Sequence, residues 1–153
     1  MKKTRYCFYL LCFLFFQDPC VTRASGVEDL VEISNSIKEY CQYWMLKEYS
    51  QMYTFLSPEA QEAIRLFDFM NEYESTENQA RDVIRHTIMM VNEYKNQITM
   101  FVKIDFWSQS AKKKESLSYV FDFMPFDEEW KLMSRPYSME GAVSARDFKK
   151  AAE

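Results

Sequence analysis

Among the polar side chains of this sequence, His86, Asp105, Asp122, Tyr53, Tyr73 and Tyr119 are the ones placed to exchange a proton inside a folded domain. General acid–base catalysis needs a group whose pKa is moved toward the working pH, and apolar surroundings do this to a carboxylate by penalising its charged form. Asp122, between Phe121 and Phe123, has such a setting, although it alternates onto the strand face opposite Tyr119. Asp105 shares its face with Lys103, which predicts a cross-strand pair or exposure to solvent. The candidate catalytic positions are therefore Asp122, Asp105 and Tyr119. His86 is the only histidine and stands beside Arg85 where a helical pattern gives way to a strand, so a junction role suits it better than catalysis. A histidine-rich metal site is excluded.

Other chemistries find less support. No G-x-S-x-G elbow occurs, and Cys41 lies on an apolar helix face, the setting of a buried structural thiol. The only glycines are Gly26 and Gly141, which rules out a glycine-rich phosphate loop or dinucleotide fingerprint. The sequence calls for no cofactor and no metal. A net charge of −4 gives no electrostatic footprint for nucleic acid. The run Lys112-Lys113-Lys114 fits a solvated hairpin tip that also discourages sheet-edge association. Binding is better supported than catalysis, because 17% of residues are aromatic. Trp44 and Tyr53 could line an apolar pocket, and Phe101 with Trp107 could form an exposed patch for a partner, core packing being the alternative for each. The partner expected is a small apolar ligand or a protein, with a homodimer through the sheet face as one form.

The elements that must hold these residues are legible in the hydrophobic spacing. Residues 86–134 contain four apolar runs separated by polar breaks at 93–96, 109–115 and 126–129, the pattern of an antiparallel meander. In the second run Ile98, Met100, Val102, Ile104 and Phe106 form a wholly apolar face, and in the third Leu117, Tyr119, Phe121 and Phe123 do the same. Before the strands, steps of three and four from Val27 to Met45 mark an amphipathic helix with one broad buried face. A bend or short helix follows, then Ser57-Pro58-Glu59 as a helix start running to about Leu66. Thr76 with Gln79 reads as a capping box for a further helix over 77–84. Helices first and a meander after predict an α+β fold, N-terminal helices packed on a curved antiparallel sheet of about four strands.

The N-terminus has the layout of a secretory signal peptide: Lys2, Lys3 and Arg5, an apolar run over 6–16, and Thr22-Arg23-Ala24 as a cleavage site. The run is too short to span a bilayer, which takes about 20 residues. Export, periplasmic or secreted, is the expected localisation. The expected organisation is a leader over 1–24, a domain over 25–136 and a tail over 137–153 that could form a short helix anchored by Phe148. Cleavage would remove Cys7, Cys12 and Cys20, leaving Cys41 alone and stability to packing rather than disulfides.

Taken together, the helix ending at Trp44, the segments Lys47-Glu48-Tyr49 and Met52-Tyr53, the run Leu56-Ser57-Pro58-Glu59-Ala60 and the strand Glu128-Glu129-Trp130-Lys131-Leu132 resemble the nuclear transport factor 2-like superfamily. That superfamily includes ketosteroid isomerase and SnoaL-like proteins. The chain looks closest to small exported bacterial members and to the N-terminal accessory domain of certain penicillin-binding proteins. The resemblance covers about residues 27–136 and implies a cone: a curved sheet wrapped on helices around a pocket. It implies no single activity, since the fold carries isomerases, dehydratases, cyclases, secretion-machine subunits and non-catalytic modules. An exported binding module is the leading expectation; a small pocket enzyme acting on an apolar ligand and a subunit of an envelope complex are the alternatives.

Overall fold

The structure, a computed structural model, describes residues 26–75 and 80–139. Helix α1 (Val27–Leu46) buries Ile33, Ile37, Tyr40, Cys41 and Trp44, a stripe at helical spacing. The stripe is narrower than the spacing predicts, because Val27, Val31 and Met45 lie exposed on its flanks. Asp29 at the third helical position accepts a hydrogen bond from the Gly26 amide at 2.8 Å, satisfying a donor the helix start leaves open. The helix stops at Lys47, whose left-handed backbone (φ 59°) turns the chain back so that the Glu48 amide donates to the Tyr43 carbonyl at 2.9 Å.

Three short helices follow: α2 (Tyr49–Tyr53), α3 (Pro58–Ala63) and α4 (Leu66–Tyr73). Ser57 caps α3 as expected, its hydroxyl accepting from the Ala60 amide at 3.2 Å. The helix does not run on to Leu66. It ends at Ala63, Ile64 is extended, and α4 starts afresh with Phe69 and Tyr73 turned into the core. The helix expected over 77–84 is also corrected: from Arg81 the chain is already strand, because Val83 joins the buried sheet face opposite Phe106. The proposed Thr76–Gln79 cap lies outside the described residues.

The strands are β1 (Arg81–Tyr94), β2 (Gln97–Ser108), β3 (Lys113–Phe126), β4 (Glu129–Leu132) and β5 (Tyr137–Ser138). They form an antiparallel sheet in the order β1-β2-β3-β4, with β5 added against Tyr119 and Val120 of β3. The start of the predicted tail is thus part of the sheet, while residues 140–153 lie outside the described residues. With glycine scarce, Lys95, Lys112 and Asp127 take the left-handed conformation at the three hairpin turns. Lys113 and Lys114 are strand residues rather than turn residues, so only Lys112 belongs to the tip.

One face of the sheet is covered by helices. Ile98, Met100, Val102, Ile104 and Phe106 are at most 1% exposed, and each such side chain contributes roughly 1.5–3 kcal/mol when buried. The Leu56-Ser57 segment clips the helices to β4: the Leu132 amide donates to the Phe55 carbonyl and the Ser57 amide to the Leu132 carbonyl, both at 2.8 Å. Trp130 completes the clip, its indole N–H donating to buried Asp29 at 3.0 Å and its backbone amide to Glu32 at 3.1 Å.

Candidate functional site

Alternation along β2 and β3 sorts the candidate residues onto two faces. Tyr119 and Trp44 go inside. The Trp44 ring meets Tyr73, Phe106 and Tyr119 edge-on at centroid distances of 5.2, 5.5 and 5.3 Å. Tyr40 adds contacts to Phe121 and Phe55 at 5.6 and 5.8 Å. Edge-to-face packing of this kind favours one arrangement of the rings and joins helix to sheet. The polar tips at its centre satisfy each other: the Tyr40 and Tyr73 hydroxyls lie 2.7 Å apart. Burial pushes both phenols above their ordinary pKa, and it pushes the Cys41 thiol up to about 12, so these groups stay neutral. Tyr53 lies at the edge, its hydroxyl 2.8 Å from the carbonyl oxygens of both Gln61 and Ile64, where it closes the end of α3.

Asp105 and Asp122 point the other way, onto the outer face of the sheet. Asp105 is expected from its sequence setting to be paired or exposed; it is 2% exposed and heavily paired. It lies in register between Arg85 on β1 and Ser116 on β3. Arg85 donates to Oδ2 from Nε and Nη2 at 3.1 and 2.8 Å, Lys114 Nζ reaches the same oxygen at 2.9 Å, and the Ser116 hydroxyl donates to Oδ1 at 2.6 Å. The Ser116 hydrogen bond, then Lys114 and Arg85, hold this carboxyl well below the usual carboxylate range, against the opposing effect of burial. A carboxylate whose pKa is held low is a weak general base at neutral pH, but it fixes two cations side by side at the surface. Asp122 is held in the same register by Thr99, whose hydroxyl donates at 2.6 Å, with the Gln97 amide at 3.4 Å. Between the two carboxylates run half-buried Phe101, buried Val120 and exposed Tyr137, and beyond Asp105 stands Trp107, 43% exposed.

The arrangement therefore gathers Asp105, Asp122, Phe101 and Trp107 on one outward surface and leaves Trp44 and Tyr119 in the core. Arg85, Lys114 and Ser116 were missed as site residues, though strand register alone places Arg85 and Ser116 beside Asp105. His86 lies on the inner face of β1, opposite Ile104, with its pKa lowered first by burial and then by Lys38. Among the described residues no group of three His, Cys, Asp or Glu side chains converges as a metal site would require.

Comparison with solved structures identifies the architecture. A domain of unknown function with a cystatin-like fold from Nostoc punctiforme superposes with a TM-score of 0.62 at 10% identity, over 84% of this chain and 86% of that one. An ntf2-like protein with a cystatin-like fold from Novosphingobium aromaticivorans gives 0.55 at 13% identity, over 79% and 88%. The fold is cystatin-like. Aln2 from a Streptomyces species matches at 0.56 and 11% identity, over 86% of this chain and all of that one. These identities support the nuclear transport factor 2-like resemblance at the level of fold alone. No family model matches the sequence, and no curated protein matches it.

Proposed function

We propose that this chain is an exported, non-catalytic interaction module that binds a protein partner through the outer face of its cystatin-like sheet. The observation that carries the proposal is the sorting of polar and aromatic groups between the two faces. A pocket enzyme on this scaffold needs a carboxylate facing an open interior, together with a donor for the developing oxyanion. Here the space between α1 and the sheet is occupied by interlocked rings, and both candidate carboxylates face outward. The outer face has the composition of a binding surface instead: an exposed indole at Trp107, a half-buried ring at Phe101, and the guanidinium and ammonium of Arg85 and Lys114 held in place by Asp105. Tryptophan and arginine are the residues most often dominant at protein interfaces.

Export is supported by the basic, apolar and small-residue layout of residues 1–24. Intact mass of the exported chain, lower by residues 1–24, is the expected result; retention of the full mass would overturn it. For the interface, a photo-crosslinking residue introduced at position 103, exposed on the same outer face as Trp107, is expected to capture a partner protein and the same residue at position 44 to capture none. Turnover of a small carbonyl compound, abolished by Asp122→Asn with folding intact, would replace this reading with the enzyme reading.

A further inference from the structure

β1 is an edge strand: among the described residues it pairs with β2 alone. It runs for 14 residues without a proline, so a long row of backbone donors and acceptors faces away from the sheet. An edge of this kind is a template for another strand unless something blunts it. β1 carries two bulges, with Ile84 the extra residue between Val83 and Arg85, and Met89 the extra residue between Ile88 and Met90. Both extra residues are exposed, at 47% and 63%. Each bulge resets the alternation of faces, so an ordinary strand laid along this edge would fall out of phase beyond the first one.

The inner-face residues of β1 are placed symmetrically about Thr87, and so are the two-residue gaps that the bulges leave between them. Register with β2 puts Arg81, Val83, His86, Ile88, Val91 and Glu93 on the inner face, opposite the row from Ser108 to Ile98. Turning β1 end for end about Thr87 carries Arg81 onto Glu93, Val83 onto Val91, and His86 onto Ile88. It also carries Ile84 onto Met90 and Arg85 onto Met89, so that each two-residue gap meets the other. Inner residues therefore meet inner residues along the whole strand, and a shift of one position destroys the match. At the two ends of this register, opposite charges meet.

We propose that two copies of this chain associate through antiparallel pairing of β1 with β1, the two Thr87 residues facing each other across a two-fold axis. The bulges that would exclude an unrelated strand select a second copy in this register. Val83 meets Val91 of the second copy on the inner face, and exposed Ile84 and Met89 become covered. Arg81, whose Nε lies 3.4 Å from Glu115 within its own chain, gains Glu93 of the second copy as a further anionic neighbour. This goes beyond the interaction-module reading and does not depend on it, since the outer faces of both copies stay open within one continuous sheet.

The test uses the full chain with Cys7, Cys12 and Cys20 changed to serine. Sedimentation velocity is expected to show a dimer at micromolar concentration. Ile84→Lys with Met89→Lys should weaken it roughly tenfold or more, because the lysine at position 89 then meets Arg85 of the other copy at both bulges, with the lysine at position 84 beside that pair, while circular dichroism stays unchanged. Thr87→Cys is expected to cross-link the two copies on mild oxidation, because facing residues in an antiparallel pair lie about 4.5–5.5 Å apart at Cα, within disulfide reach. Val91→Cys should not cross-link to itself, since the two thiols would lie roughly 25 Å apart along the paired strands. A monomer at every concentration would overturn the proposal. So would a dimer that Thr87→Cys fails to cross-link, or one that the lysines leave intact and Trp107→Ala dissolves.

Discussion

β1 and β2 are neighbours of similar length in one sheet, yet helix packing treats them differently. Every inner residue of β2 from Ile98 to Phe106 is sealed, whereas on β1 only Val83 is fully buried and Val91 remains 39% exposed. Helix α1 crosses the sheet from β4, where Asp29 receives the Trp130 indole, to β1, where Lys47 lies 3.5 Å from Asp82, and it leaves the end of β1 around Val91 uncovered. The centre thus supplies the cooperative core, and the edge and outer face remain available for contacts that cost the fold little. Substitutions should therefore separate cleanly into those that unfold the protein and those that alter only what it binds.

The largest effect is expected at the centre. Phe121→Ala empties a site between Tyr40 and the sheet and should cost about 3–5 kcal/mol, measured by chemical denaturation. Trp130→Phe keeps a ring but removes the indole donor to Asp29, leaving a buried carboxylate one hydrogen bond short; about 1–3 kcal/mol is expected from the same measurement. On the outer face Asp105→Asn should cost less, about 1–2 kcal/mol, because Arg85 and Lys114 can turn to solvent once released. Its distinguishing mark is pH dependence. A carboxyl whose folded pKa is depressed contributes stability that is complete above its unfolded pKa, near 4, and lost as pH falls toward the folded value. The unsubstituted protein should therefore lose stability more steeply than Asp105→Asn as pH falls below about 4; parallel curves would show that the Asp105 cluster is not tight. Trp107→Ala should change stability by no more than about 0.5 kcal/mol while abolishing partner capture, and an equally large loss of stability would mean that the indole belongs to the core.

Much of this division is visible in the sequence. Period-two alternation separates Tyr119 and Phe121 from Asp122, and Phe101 and Trp107 from the apolar row of β2, because a strand allows a side chain no third choice; which face turns inward is decided by the helices. Ser57-Pro58-Glu59 locates its cap, since Ser57 and Pro58 act within one helical turn. The environment of Asp105 is a different matter. Lys103 on the same face suggests a cross-strand pair or exposure, and the pair is what forms, but its partners include Arg85 and Lys114 on neighbouring strands, through a register that no local pattern encodes. The start of β1 reads as helix for a related reason: the first four residues, Arg81 to Ile84, are too few to show a strand period, and pairing with β2 decides their conformation. Nor does spacing reveal how full the interior is, because edge-to-face contacts among Tyr40, Trp44, Tyr73 and Tyr119 depend on the relative placement of helix and sheet.

The central claim is that the interior is closed and the working surface lies outside. It is tested most directly by titrating 2-naphthol, a small apolar hydroxyl compound, into the folded chain while following methyl resonances by two-dimensional nuclear magnetic resonance. The methyl groups of Ile37, Met52, Met100 and Ile104, all buried between helix and sheet, are expected not to shift and to give no saturable isotherm. Saturating shifts centred on Ile37 and Met100 would contradict the account and return the function to a pocket.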